Sequence, residues 1–110
     1  MPTTAEIVEF LKKVRTAIKN DQFYLCLRDK NLNSMRKYGY KTLDVKLNIK
    51  SLTPTFFIET RLEDNPNFEP ENVWIFKRIL YGAMFYIKIR FKEQGEKGPL
   101  VVISFHEDEK

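Results

Sequence analysis

The chain's 110 residues (13.1 kDa) leave room for a single domain, residues 1–110. With 43% hydrophobic and 14% aromatic residues it can bury a real core, which excludes the disordered class. A net charge of +4, one cysteine (Cys26) and no apolar run near ~20 residues exclude an internal disulfide, a cysteine-rich zinc site and a membrane helix.

Met1–Glu6 lacks the basic-then-apolar order of an export signal, so a cytoplasmic location is expected. Thr3 and Glu6 have the spacing of a capping box. Behind them Ile7, Phe10, Leu11, Val14, Ala17 and Ile18 recur at helical intervals, predicting an amphipathic helix over 4–19 that Asn20-Asp21 ends. Residues 22–28 alternate Phe23, Leu25 and Leu27 against Tyr24, Cys26 and Arg28, as a strand with one buried face does. Asp29 is placed to cap a short helix through Leu32, Met35 and Tyr38, stopped by Gly39. Thr42–Leu52 fits a strand (Leu43, Val45, Leu47, Ile49) and a helix (Val45, Ile49, Leu52); Thr42 as N-cap tips it toward helix. Glu63–Glu71, acidic and bearing Asn and Pro, reads as a surface loop.

Val73–Leu80, Met84–Lys92 and Leu100–His106, separated by turns at Tyr81-Gly82 and 94–99, form an antiparallel meander, to which 23–28 can add a strand. Helices first and strands last predict an α+β domain with N-terminal helices packed on one face of a C-terminal antiparallel sheet.

Charge is unevenly placed. Residues 1–50 carry 11 basic and 5 acidic groups, 51–71 carry one basic and 5 acidic, and 72–99 carry 6 basic and 2 acidic. Such clusters are usually solvated faces, and a polyanion partner follows only if the basic groups share a face. Strand alternation addresses this. Along 84–92, Phe85, Ile87, Ile89 and Phe91 point to the core while Met84, Tyr86, Lys88, Arg90 and Lys92 point away. If Val101, Ile103 and Phe105 join that core, then Leu100, Val102, Ser104 and His106 lie on the opposite face. The compatible registers pair Tyr86 with His106 and Lys88 with Ser104, or shift by two so that His106 faces Met84 or Lys88. In each, the only histidine shares a face with Tyr86, Lys88 and Arg90.

That set has a chemical logic. Metal-free RNA cleavage needs a base for the 2′-hydroxyl, an acid for the departing 5′-oxygen, and cations for the charge that builds on phosphorus. Histidine serves as acid or base near neutrality; lysine and arginine hold phosphate oxygens; tyrosine bonds a phosphate or stacks on a base. No His or carboxylate cluster has metal-ligand spacing, so neither a metal nor a cofactor is expected. The same face fits passive RNA binding equally well, and Cys26 reads as a small buried hydrophobe.

Three stretches carry a family resemblance: Phe23-Tyr24-Leu25-x-Leu27-Arg28-Asp29-Lys30-Asn31; Val73-Trp74-Ile75-Phe76-Lys77; and Phe85-Tyr86-Ile87-Lys88-Ile89 with Ile103-Ser104-Phe105-His106-Glu107. In their order and spacing the chain resembles the MqsR-type toxins of bacterial type II toxin–antitoxin systems, within the RelE-like ribonuclease fold. The resemblance implies a metal-independent endoribonuclease that cleaves mRNA and is neutralised by a cognate antitoxin, with a homodimer left open. It also implies a helix over 42–52. Tyr86 matches the family tyrosine, and His106 stands where the best-known members have a catalytic lysine. Glu59 and Ile75 depart from the family's functional lysine and glutamine, and Phe57 stands where close relatives often have tyrosine. On this reading His106 and Tyr86 take the chemical step, and Arg28, Lys30, Lys77, Lys88 and Arg90 bind RNA. The alternative is a non-catalytic RNA-binding or protein-interaction module, a decayed toxin.

Overall fold

Thr3 opens the first helix with a reciprocal cap: its hydroxyl accepts from the Glu6 N–H at 3.2 Å, and the Glu6 carboxylate accepts from the Thr3 N–H at 2.8 Å. α1 (Thr4–Lys19) buries Ile7, Phe10, Leu11, Val14 and Ala17, the stripe its periodicity predicts. The structure, a computed structural model, describes residues 1–63, 66, 72–92 and 99–108. Among these, α1 is followed by β1 (Phe23–Leu25), α2 (Asp29–Tyr38), α3 (Thr42–Lys50), a short 3-10 turn, β2 (Phe57–Leu62), β3 (Asn72–Leu80), β4 (Ala83–Phe91) and β5 (Leu100–Glu107). The fold is α+β with its helices N-terminal, as expected. No described helix is long and apolar enough to cross a membrane.

One five-stranded sheet runs in the order β1-β5-β4-β3-β2. β2, β3, β4 and β5 are antiparallel neighbours, while β1 lies parallel to β5, so the sheet is mixed. The β3–β4 hairpin turns through Tyr81 and Gly82, whose φ values of 54° and 78° suit a tight two-residue turn. Tyr81 tolerates this conformation while its ring stacks on Tyr40, 5.2 Å away and 6° from parallel. One sheet face, built from Phe76, Phe85, Ile87, Ile89, Leu100, Val102 and Phe105, packs on α1, Val45, Ile49 and Leu52 to form the main core. Each of these side chains stabilises the fold by roughly 1.5–3 kcal/mol when fully buried.

Several local expectations are corrected. β2 was not foreseen: Phe57-Ile58-Glu59-Thr60-Arg61-Leu62 alternates poorly, and a bulge between Phe57 and Glu59 explains why. β1 stops at Leu25, so Leu27 leaves the sheet and is 66% exposed. Thr42 is the first helical residue of α3, not its cap. Lys41 takes that place, and its N–H donates to the Asp44 carboxylate at 2.7 Å. Asp29 is likewise the first residue of α2, behind Arg28, while Gly39 ends the helix in the left-handed conformation at φ 67° as predicted. Glu63, expected in a surface loop, is buried. The remainder of that acidic segment, apart from Pro66, and the 94–99 turn, apart from Pro99, lie outside the described residues.

The largest correction concerns β5. From Lys88↔Ser104 to Phe85↔Glu107 the register is one of the three compatible ones, with Tyr86 opposite His106. Between Lys88 and Ile89 it slips by one, leaving Ile103 as an extra residue, and Ile89 pairs with Val102. A bulge of this kind reverses the alternation behind it. Leu100 and Val102 therefore face the helices, whereas Val101 and Ile103 join Val73 and Ile75 in a small cluster on the opposite face, against Cys26 and Tyr86.

Candidate active site

Strand pairing sets which side chains meet on the face away from α1 and α3, because residues directly opposite share a face. β2 places Glu59 and Arg61 there, β3 Val73, Ile75 and Lys77, β4 Tyr86, Lys88 and Arg90, and β5 Val101, Ser104 and His106. The apolar members make a floor in the middle. Tyr86 and His106 lie at its far end, their ring centres 5.6 Å apart and their planes 32° from parallel.

The hydrogen bonds around this pair fix polarity. His106 Nδ1 lies 2.8 Å from the Glu107 carbonyl. A carbonyl only accepts, so Nδ1 carries a proton, and in the neutral ring Nε2 holds the lone pair. The Tyr86 hydroxyl oxygen accepts from Arg61 Nη2 at 3.2 Å, which orients the phenol's own proton elsewhere. Lys77, directly opposite Tyr86, sets its ammonium 5.9 Å from the ring centre and 2.8 Å from the Asp108 carboxylate.

A cleft of about 370 Å³ opens beside His106, lined by Lys30, Asn33, Ser34 and Lys37 of α2 with Glu107 and Asp108. These α2 positions recur at helical spacing, so one helix face forms a wall. Ser34 ties that wall to the strand, its hydroxyl accepting from the Glu107 N–H at 3.0 Å. Across the mouth Lys37 bonds the Glu107 carboxylate at 2.7 Å. This raises the Lys37 ammonium and lowers the Glu107 carboxyl relative to their ordinary values.

The expected site residues thus divide. Tyr86, His106, Lys77 and Lys30 border one region. Arg28 lies one step along β5, its guanidinium 3.2 Å from the Ser104 hydroxyl. Lys88 and Arg90 share the face but are buried, at 6% and 7% exposure. Lys88 is closed on Glu63, with both carboxylate oxygens within 2.9 Å of its ammonium. Burial pushes the Cys26 thiol up despite Arg28 and Arg90 nearby, which leaves it a poor nucleophile. Among the described residues no three His, Cys, Asp or Glu side chains gather to hold a metal. Sequence reasoning missed Arg61, Glu63, Lys37, Glu107 and Asp108. For Arg61 a signal existed: reading 57–62 as a strand would have put Glu59 and Arg61 on one face.

A family profile described as "Motility quorum-sensing regulator, toxin of MqsA" matches residues 8–107. Neither the curated proteins nor the solved structures contain a significant match.

Proposed function

This chain belongs to the MqsR toxin family, the toxin half of a toxin–antitoxin pair, and we propose that it is a metal-independent endoribonuclease that cleaves mRNA by acid–base catalysis and is held inactive by its cognate antitoxin. The observation that carries this reading is the Tyr86–His106 pair with its opposed hydrogen-bond polarity.

His106 Nε2, the lone-pair nitrogen, takes the proton from a 2′-hydroxyl of bound RNA. The freed oxygen attacks the adjacent phosphorus. As the P–O2′ bond forms, the P–O5′ bond breaks, and the Tyr86 hydroxyl donates its proton to the departing 5′-oxygen. The products are a 2′,3′-cyclic phosphate and a 5′-hydroxyl, and water returns the proton from imidazolium to phenolate. Lys77, Lys30 and Arg28 hold the flanking phosphates. Lys88 and Arg90 add positive charge from beneath, and Lys88 reaches RNA directly only when Glu63 gives way.

The second reading, a toxin that binds without cutting, draws support from that closed Glu63–Lys88 pair and from Glu59 and Ile75 at positions the resemblance makes functional. Incubation of a long mixed-sequence RNA with the purified protein in EDTA, with His106→Ala alongside and every new 5′ end sequenced, decides between them. Discrete wild-type cuts absent from the variant are expected. Intact free and ribosome-bound RNA, with affinity retained, would establish the binder.

A further inference from the structure

We propose that the cleft between β1 and the end of β4 is a second RNA subsite, where the Tyr24 ring stacks on an unpaired nucleobase away from the scissile bond; this deepens, and rests on, the ribonuclease reading above. The strand pairing builds it. Val101 of β5 pairs with Tyr24 of β1 on one side and with Arg90 of β4 on the other, so the three side chains form one row across the sheet. Val101 belongs to the small apolar cluster on the face of Tyr86 and His106, and Cys26 packs against the same cluster. The row therefore opens on the face of the candidate site. Tyr24, Cys26, Arg90, Lys92, Pro99 and Val101 together line a cleft of about 440 Å³. Four residues of β4 separate Arg90 from Tyr86, about 13 Å of strand.

An unpaired nucleotide combines a flat aromatic face with a negative charge, and the cleft answers both. The Tyr24 ring is 57% exposed, although its strand neighbours Phe23 and Leu25 pack into the main core. Every base has a π-face, so an open aromatic ring on a nucleic-acid surface takes any of them. Val101 and Pro99 add apolar surface beneath and beside it. Arg90 is buried, so its charge is fixed in the wall, while the exposed Lys92 can follow a phosphate. None of the six lining residues is acidic, whereas Glu107 and Asp108 line the cleft beside His106. The apolar floor of Val73, Ile75, Val101 and Ile103 lies between the two clefts. An RNA strand crossing it from His106 reaches Tyr24 with a nucleotide other than the two flanking the cut.

The test measures binding of a single-stranded deoxyadenosine octamer, which lacks the 2′-hydroxyl and cannot be cut, to wild type, Tyr24→Ala, Tyr24→Phe and Lys92→Ala. Tyr24→Ala is expected to bind about tenfold or more weakly, the scale of one lost stacked base. Tyr24→Phe keeps the ring and should stay within about threefold of wild type. Salt dependence separates ring from charge. Tyr24→Ala should leave the slope of log affinity against log salt unchanged, and Lys92→Ala should lower it by about 0.7, as one lost single-strand phosphate contact requires. In RNA cleavage Tyr24→Ala should raise KM and leave kcat near wild type, because the ring touches no reacting atom. Wild-type affinity in Tyr24→Ala, an equal loss in Tyr24→Phe, or a loss confined to kcat would overturn the proposal. Because the octamer is bound and not cut, the two readings fail separately. If wild type cuts no RNA, the ribonuclease reading falls, while ring-dependent affinity still supports the subsite. If it cuts RNA but Tyr24→Ala binds and cleaves as wild type does, the subsite alone falls.

Discussion

Asn31 of α2 pairs with the β5 backbone as though it were one more strand: its amide nitrogen donates to the Ile103 carbonyl at 3.0 Å and its amide oxygen accepts from the Phe105 N–H at 2.9 Å. β1 ends at Leu25, opposite Val102, and from the next residue onward the side-chain amide satisfies the edge. The same nitrogen donates to the Cys26 carbonyl at 2.8 Å, locking the β1–α2 connection. α2 is thereby fixed along β5, which brings Lys30, Asn33 and Lys37 beside His106. Asn31→Ala leaves Ile103 and Phe105 backbone groups buried without partners, at about 1–3 kcal/mol each. A loss of roughly 2–4 kcal/mol in urea unfolding is therefore expected. Asn31→Asp should be similarly destabilised, because a carboxylate cannot donate to either carbonyl.

Glu63 and Lys88 make a second prediction. Both side chains are almost fully withdrawn from water, at 0% and 7% exposure, so breaking the pair leaves a buried charge uncompensated. Glu63→Ala is expected to cost about 3–5 kcal/mol, and the double change Glu63→Leu with Lys88→Met considerably less. Glu63→Gln keeps the shape but releases the Lys88 charge, so RNA affinity should rise. The slope of log affinity against log salt should steepen by about one unit, as one added phosphate contact requires. A fall in affinity would remove Lys88 from the RNA-binding set.

Alkaline pH probes the aromatic cluster. The Tyr40 hydroxyl donates to the Phe105 carbonyl at 3.2 Å, and burial pushes its phenol well above the ordinary tyrosine value. The unfolded chain releases that proton near pH ~10, while the folded chain retains it. Above that pH the unfolded state binds fewer protons, so stability falls as pH rises. Tyr81, also raised by burial, acts in the same direction. Tyr40→Phe should lose about 1 kcal/mol at pH 8 from the missing bond, yet weaken less than wild type between pH 9 and 11. Urea midpoints across that range test it; parallel curves would assign the alkaline loss to other groups.

How far the sequence revealed this molecule depended on whether each signal was local. The capping box, the α1 stripe, the Tyr81-Gly82 turn and the Gly39 stop are set by neighbours in the chain, and all were legible. Strict alternation in β4 also placed Tyr86, Lys88 and Arg90 on one face. Ile103 shows where the argument ran out. One inserted residue exchanges the faces of Val101 and Val102, and nothing in a run of six consecutive apolar or small residues marks where the bulge falls. That Tyr86 and His106 share a face was legible because both lie on the unbulged side, while their direct pairing was one of three compatible registers. Asn31 and Ser34 were hidden for a different reason. Polar residues on a helix look solvent-facing until an edge strand needs their hydrogen bonds.

His106 supplies the last prediction, which concerns the direction of proton transfer. With Nδ1 bound to the Glu107 carbonyl, the neutral ring accepts through Nε2, and the protonated ring cannot accept at all. If His106 is the base, kcat/KM rises with pH as its imidazolium gives up its proton and then levels off. His106→Gln should lower the plateau by about 10²–10⁴-fold and abolish that rising limb, while binding of an uncleavable 2′-deoxy oligonucleotide of the cut sequence persists. A rate that instead falls with rising pH across the same range would exchange the roles of His106 and Tyr86. A rising limb that survives in His106→Gln would assign the proton transfer to another group. Because the assignment rests on one hydrogen bond to a backbone carbonyl, it is also open to direct observation. The ¹⁵N shifts of the His106 ring should show the Nδ1–H tautomer on the alkaline side of the transition.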